Sequence, residues 1–370
     1  MTGYRSPTSG RPLRADASHA LCTEDGEERW PIVDGIPYLR TGSEARAAEA
    51  VRALDAGDTD AALLLLLPEN DRWWDGAPPP EADLRRLLAE RDRLTLRAAM
   101  DLLGWGRVGT YFAHRWGDPT YLAGLALLDA HWPHPRTAFE LACGIGHYLR
   151  ALGSQGVRCM GADLVFAKLW VARHWVAPQA QLVCFDAEAP WPVEPRADLA
   201  FCHDAFYFFQ HKASVAVQLR AAAPAIAISH VHNSAHANYS CGAAIDRAEL
   251  DDLFPGARLY ADEALTAAAV ACRAPTREGL DTTEAFALFA PDGPPRPVGA
   301  LTLPCDGAPV RRNPLLGRNG PAWPSERYAA EYGPRATFRA DARVPDHALM
   351  TSRWTEAAAR RELVELPERW

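Results

Sequence analysis

The sequence predicts an α/β fold with a mostly parallel sheet and one ligand crevice above its carboxyl edge. Three observations predict it. Between Thr137 and Phe209, four short apolar runs alternate with helical patterns at the spacing of strand–helix–strand units. The first run breaks into Ala142-Cys143-Gly144-Ile145-Gly146, small residues and glycines that open a helical pattern. The later runs end on or beside Asp163, Asp186 and Asp204. In open α/β sheets ligands bind outside the carboxyl ends of the strands, so small and acidic residues gathered there describe one crevice.

Each element follows from its residues. The first strand is Thr137 to Leu141, with Glu140 near its end. Glycine is wanted after it because a ligand must approach the backbone and because some turn positions need positive φ. The helix opening at Tyr148 offers free N–H groups at its start. Val157 to Asp163 is the second strand, and in dinucleotide-binding folds an acid in this place takes the hydroxyls of a ribose. Gln181 to Ala187 is the third strand and Ala197 to Asp204 the fourth. Phe206 to Phe209 open the next helix. Pro224 to Val231 reads as the fifth strand, Arg247 to Phe254 as a short helix, Arg258 to Tyr260 as the sixth strand and Ala285 to Ala290 as the seventh.

Glu140-Leu141-Ala142-Cys143-Gly144-Ile145-Gly146 resembles the first motif of class I S-adenosylmethionine-dependent methyltransferases, usually acid-Leu-Gly-Cys-Gly-Thr-Gly. Asp163-Leu164 is similar to the ribose-binding position, Asp186-Ala187 to the adenine-side motif, and Asp198 to Asp204 to the fourth-strand motif. The resemblance runs from about Thr137 to Ala290, with the motifs in order at one-unit spacings. Ala142 departs from the usual glycine. The resemblance implies a Rossmann-like fold with a seven-stranded sheet whose last strand is antiparallel. It also implies S-adenosyl-L-methionine as cofactor, held by Glu140, Ala142, Cys143, Gly144, Gly146, Asp163, Leu164, Asp186, Ala187 and His203.

The whole chain divides into four stretches: 1–41, 42–132, 133–290 and 291–370. In the first, Asp34-Gly35 is a turn signal between two short apolar runs. The run Trp30-Pro31-Ile32-Val33-Asp34-Gly35-Ile36-Pro37 resembles the end of the zinc-ribbon domain that activates or precedes methyltransferases. That domain needs four cysteines, and only Cys22 is present, with Asp25 where a partner would stand. A metal-free unit packed by apolar residues is expected. Residues 42–132 read as a helical cap, with an amphipathic face over Asp83 to Glu90 and gathered aromatics at Trp105, Tyr111, Phe112, Trp116 and Tyr121. The family commonly walls its substrate pocket there, which makes Tyr111, His114 and Arg115 candidates to face substrate or cofactor. A plain helical core accounts for the same aromatics. The tail from Pro291 is proline-rich, with a helix start at Pro324-Ser325-Glu326 and helix near Thr355 to Leu366; it is expected to wrap the core.

The totals exclude some classes. A formal charge of -8 over 370 residues argues against nucleic acid as the main partner. The eight cysteines form no CxxC pair, and Cys143, Cys159, Cys184 and Cys202 fall in or beside buried strands, which suits reduced thiols. Met1 to Arg14 lacks an apolar signal region, and Leu63 to Leu67 is too short to span a bilayer. A cytoplasmic location with no membrane association is expected.

Methyl transfer from a sulfonium is an in-line displacement, so the protein must align the nucleophile and, for a hydroxyl or protonated amine, remove a proton. The candidates are His203 after the fourth strand and His230 and His232 at the end of the fifth. Tyr207, His236 and Tyr239 join Tyr111 and Arg115 as substrate-facing candidates. Three readings of the histidine loop stay open: polar capping of the strand end, a general base among His230, His232 and His203, or a metal held by His230, His232 and His236, with or without Cys241. The cofactor motifs already claim that edge, so no metal is expected. No Asn/Asp-Pro-Pro-Tyr follows the fourth strand and no CxxxCxxC occurs. O-, N- or activated-carbon methylation of a small molecule or peptide in a tailoring pathway is therefore expected. A non-catalytic partner that keeps the fold, and a metal-dependent enzyme using the 230–236 loop, are the alternatives.

Overall fold

The computed structural model describes residues 3–132, 134–237 and 242–370; Tyr239 and Cys241 lie outside them. The chain begins with an antiparallel sheet of five short strands, β1 (Tyr4–Arg5), β2 (Pro12–Ala17), β3 (Ala20–Cys22), β4 (Arg29–Val33) and β5 (Ile36–Pro37). Asp34 and Gly35 both have positive φ, 51° and 74°, the two-residue turn that pairs Val33 with Ile36. Asp25 accepts from Thr23 Oγ1 at 2.7 Å and pairs with Arg11, while His19 pairs with Asp55 at 2.9 Å. These side chains serve a polar surface.

Six helices follow: α1 (Glu44–Asp55), α2 (Thr59–Leu66), α3 (Glu81–Glu90), α4 (Leu96–Leu102), α5 (Gly106–His114) and α6 (Pro119–Ala130). Asp118 caps α6 by accepting from Tyr121 N at 2.8 Å, with Pro119 in the first turn where its missing N–H costs nothing. Every residue of α6 is buried, because the helix lies between the main sheet and a later helix. Among the described residues no helix is long and apolar enough to cross a membrane.

The main sheet is built from β6 (Thr137–Leu141), β7 (Arg158–Asp163), β8 (Gln181–Cys184), β9 (Leu199–His203), β10 (Ala225–His232), β11 (Arg258–Ala261) and β12 (Ala285–Ala290). Between them run α7 (His147–Ser154), α8 (Phe166–Val171), α9 (Lys212–Ala222), α10 (Arg247–Leu253) and α11 (Asp262–Val270). The order is β11-β12-β10-β9-β6-β7-β8. β12 runs antiparallel between β10 and β11, and the pairs among β6 to β10 are parallel. This is the Rossmann-like seven-stranded arrangement the motifs imply. The order reverses between β6 and β9, the switch point at which such sheets bind ligands. The open edge of β8 is covered by the N-terminal unit: Leu39 N bonds Cys184 O at 2.7 Å and Tyr38 bridges Cys184. Cys143, Cys159, Cys184 and Cys202 are buried free thiols.

Two local expectations are corrected. Phe206 to Phe209 do not open a helix: Phe206–Phe208 is one 3₁₀ turn, and α9 starts at Lys212. The rings have different destinations, Phe206 on Phe254, Tyr207 on His232 and Phe208 on Trp73, which one helical face cannot satisfy. The tail carries β13 (Pro309–Arg312), β14 (Leu316–Gly317), β15 (Gly320–Pro321), α12 (Glu326–Tyr332), β16 (His347–Leu349), α13 (Thr355–Ala359) and β17 (Leu363–Val364). The helix expected to reach Leu366 stops at Ala359 because Arg361 turns left-handed (φ 57°) and donates its buried guanidinium to Trp116 O. A small apolar core of Val310, Leu315, Leu316, Tyr328 and Tyr332 holds the tail together, and Trp370 Nε1 bonds Ala113 O at 2.7 Å.

Candidate active site

The bend after β6 is the first half of the site. Ala142 (φ 55°), Gly144 (φ 55°) and Gly146 (φ 83°) are all left-handed, so the chain reverses in five residues and starts α7 at His147. A Cβ on Gly144 would stand 3.1 Å from Phe112 Cε1 of α5, which explains glycine there and shows that the Phe112 ring closes one side of the crevice. Ala142 occupies a conformation that costs an L-residue about 1–2 kcal/mol. Relief of that strain offsets the flexibility that glycine adds to the unfolded chain, about 0.4–1 kcal/mol. Ala142→Gly is therefore expected to leave the urea midpoint unchanged or raise it; a drop of the size usual for Ala→Gly would contradict the strained bend.

Asp163, at the end of β7, reaches across to the bend: Oδ2 accepts from Gly144 N at 2.9 Å, and Oδ1 accepts from Val165 N at 2.9 Å. Lys168 Nζ lies 3.8 Å from Asp163 and 3.3 Å from Asp71 in the loop before α3. Past β8, Asp186 Oδ1 accepts from Glu188 N at 2.9 Å, and no bond among the described residues takes its other oxygen. Ala142, Gly144, Leu164 and Asp186 keep partial exposure, so the crevice face is open at these four positions. Cys143 and Ala187 are buried beside it. Glu140 is buried beside the bend with Oε2 unpartnered, and burial pushes its carboxyl well above the usual range.

The second half of the site lies at the carboxyl ends of β9 and β10. Asp204 (φ 51°) and His230 (φ 54°) are both left-handed, and β10 carries a register shift between Ile228 and Val231. Asp204 is the hub. Its Oδ2 takes the Tyr111 hydroxyl at 2.5 Å and Arg115 Nη1 at 3.2 Å, and its Oδ1 takes the Tyr207 hydroxyl at 2.8 Å. Arg115 also pairs with Asp118 at 3.5 Å and stacks 4.7 Å above the Tyr111 ring. Burial pushes the Asp204 carboxyl up, but His230 and Arg115 outweigh it and hold it below the usual carboxylate range. His230 Nδ1 meets Asp262 Oδ2 at 2.5 Å, and its Nε2 faces Asp204 Oδ1 at 3.9 Å. Burial lowers His230, yet the carboxylates of Asp204 and Asp262 raise it above its ordinary value. His232, 5.0 Å from His230 and 4.3 Å from Tyr207 between ring centres, is lowered to about 4 by burial and then by His230.

The remaining candidates sit differently. His203 is buried with both ring nitrogens unpartnered, between Tyr148 (4.7 Å) and His230 (6.2 Å), and burial drives it well below its ordinary value. His114 turns away, its Nδ1 on Thr110 O at 2.8 Å. His236 lies in a turn whose N–H bonds Asn233 O at 3.1 Å, outside the group formed by Asp204, His230 and His232. Sequence reasoning missed Asp118 and Asp262. Asp262 follows Tyr260-Ala261 at a strand end, the signal that had pointed to Asp163, and Asp118-Pro119 is a helix start. A cleft of about 450 Å³ opens beside this half, lined by Thr120, Asp262, Glu263, Thr266 and Arg335 among others.

The methyltransferase-domain family model matches residues 139–223, the stretch that holds the bend, Asp163, Asp186 and Asp204. No curated protein matches the sequence. Among solved structures the chain is similar to an amino pentose methyltransferase from Micromonospora echinaspora, at 14% identity over 49% of this chain and 94% of that one, TM-score 0.37. It is also similar to a phosphoethanolamine N-methyltransferase from Haemonchus contortus, at 20% identity over 45% and 46%, TM-score 0.35. A third is magnesium protoporphyrin IX methyltransferase from Synechocystis PCC 6803, at 13% identity over 49% and 86%, TM-score 0.34. Likenesses this distant carry no weight for the substrate. The matched model and the ordered motifs within the seven-stranded sheet identify residues 139–223 as a methyltransferase domain of the class I S-adenosylmethionine-dependent kind.

Proposed function

We propose that the chain transfers a methyl group to an oxygen, nitrogen or activated carbon of a small molecule or peptide, in a tailoring step of biosynthesis. The observation that carries this reading is the division of one sheet edge into two halves, a glycine bend tied to Asp163 and a buried Asp204–His230–Asp262 chain. The residues fit the cofactor. The bend keeps Ala142 and Gly144 partly exposed for close approach, and Asp186 keeps an oxygen without a partner among the described residues. Asp163 has lone pairs beyond the two that hold Gly144 N and Val165 N. When bound, S-adenosylmethionine supplies an electrophilic methyl group.

The chain's own residues do the rest. Asp204, held by Tyr111, Tyr207 and Arg115, and His230, oriented by Asp262, offer acceptors for a proton on the methyl acceptor. The cap reaches over this edge: Trp73 packs on Phe208 at 5.8 Å and Arg72 pairs with Glu188 at 3.2 Å. The cleft beside Asp262 and Arg335 is the entry for the acceptor. Incubation with isotope-labelled S-adenosylmethionine and fractionated small metabolites or short peptides tests the proposal. Label is expected in one compound class with wild type and in none with Asp163→Ala; label in no fraction would remove the proposal.

One observation favours a second reading, a non-catalytic partner that keeps the fold. The Phe112 ring stands against Gly144, and both Asp163 oxygens are engaged within the chain. In that case cofactor binding is absent altogether.

A further inference from the structure

Asp204, His230 and His232 each offer one ligand atom, and these atoms all lie within 4.8 Å of one another. The separation between His230 Nε2 and Asp204 Oδ1, 3.9 Å, is too long for a hydrogen bond. Two ligands on a tetrahedral ion at bond lengths of about 2.0–2.2 Å stand about 3.4 Å apart, so closure by about half an ångström brings the pair onto one ion. The geometry points to a site for one divalent transition-metal ion, held by Asp204 Oδ1, His230 Nε2 and His232, with Asp262 as the outer carboxylate on His230.

Four further features support the site. Asp262 takes the Nδ1 side of His230 at 2.5 Å, which fixes the ring and leaves Nε2 aimed at Asp204, the usual support for a metal-bound imidazole. Tyr111 and Arg115 occupy Oδ2 of Asp204, and Oδ1, which accepts the Tyr207 hydroxyl, keeps a lone pair on the side of His230. The left-handed backbone at His230, with the shift in β10, is a strained arrangement that turns the strand end at the cluster. Finally, the buried Asp118 and the nearly buried Asp204 share one guanidinium, Arg115, while among the described residues the buried Asp262 meets only His230 and Arg335 stands at the half-exposed rim. Buried charge in excess is costly, and a divalent ion neutralises it.

Two imidazoles and one carboxylate select zinc, iron or manganese over magnesium or calcium, whose ligands are oxygens. Three protein ligands leave a coordination position open, as in catalytic rather than structural sites. Resting on the methyltransferase reading, that position takes an oxygen or nitrogen of the acceptor, and with His230 Nε2 and Asp204 Oδ1 engaged on the ion, the ion in place of those two groups lowers the acceptor's hold on its proton. The acceptor class then narrows to molecules with a metal-binding hydroxyl, carboxylate or amine. His236, the third ligand suggested by the sequence, is replaced by Asp204.

Tag-free protein, stripped with a chelator, is titrated calorimetrically with Zn²⁺, with Mn²⁺ and with Mg²⁺, and S-adenosylhomocysteine binding is measured on the same samples. The site predicts one Zn²⁺ per chain, tighter than Mg²⁺. Affinity falls at least tenfold in Asp262→Asn, is lost in His232→Ala, and is kept in His236→Ala. Retained S-adenosylhomocysteine binding shows that each variant folds; where His232→Ala does not, His232→Gln carries the test. No stoichiometric Zn²⁺, or equal affinity in the folded His232 variant, overturns the site. Either result leaves the methyltransferase reading standing if S-adenosylhomocysteine still binds.

Discussion

Asp163→Ala is expected to lower S-adenosylhomocysteine affinity at least a hundredfold. The carboxylate sits where β7 meets the bend, and it holds Gly144 N and Val165 N at 2.9 Å each. Its loss frees the bend and removes the acceptor for ribose hydroxyls at once. Hydrogen bonds to a charged group are worth about 1.5–3 kcal/mol each, and each 1.4 kcal/mol is about a factor of ten in affinity. Two such bonds suffice for the stated loss. Asp163→Asn keeps the shape but turns an amide toward one backbone N–H, so a smaller loss, about tenfold, is expected. Calorimetry reads both, with far-ultraviolet dichroism to confirm folding. Unchanged affinity in a folded Asp163→Ala would mean that the crevice does not hold the nucleoside at this strand.

Arg115→Leu is expected to cost about 3–5 kcal/mol of stability, the usual result of removing one partner of a buried ion pair. Its side chain is 4% exposed and faces Asp118, which is 0% exposed, and Asp204. Without it, both carboxylates are left in apolar surroundings and the Tyr111 ring loses its cation. The cost depends on pH with a definite sign. Burial already raises the Asp118 carboxyl above its ordinary value, and Arg115 is the chief influence holding it down. In the variant Asp118 rises further, so folding of the variant favours the protonated acid, and its deficit grows as the pH climbs above the unfolded value of about 3.9. Urea unfolding at pH 4 and pH 7 should show a smaller gap from wild type at pH 4. Asp118→Asn in the Arg115→Leu background should recover part of the loss; a gap independent of both pH and Asp118 would contradict the pairing.

Sequence alone carried the sheet, the glycine bend and the strand-end acids because their signals are local. Strand-end acids and a glycine bend need only a few neighbouring residues, and five of the seven strands fall within one residue of their expected places, while β8 ends three residues early and β9 starts two residues late. The Asp34-Gly35 turn and the Ser325 cap, which accepts from Tyr328 N at 3.1 Å, were legible for the same reason. The acceptor half was not, because it is made of distant pairs. Tyr111 and Asp204 are 93 residues apart and His230 and Asp262 are 32 apart, so no window contains both partners. The histidine-rich loop drew notice as a composition, yet His236 falls outside the cluster and Asp204 inside it, a choice made by the β9–β10 pairing. Likewise, nothing near Arg361 announces a left-handed residue; it is held there by Trp116, far back in the chain.

The most direct measurement is a calorimetric titration of the wild-type chain with S-adenosylhomocysteine. One saturable site per chain, weakened by Asp163→Ala and left intact by Ala142→Gly, is the predicted result. No heat and no protection against thermal unfolding at saturating ligand would contradict it: Phe112 and the Asp163 bonds would then fill the crevice beside Gly144 permanently, and the sheet edge would bind no nucleoside.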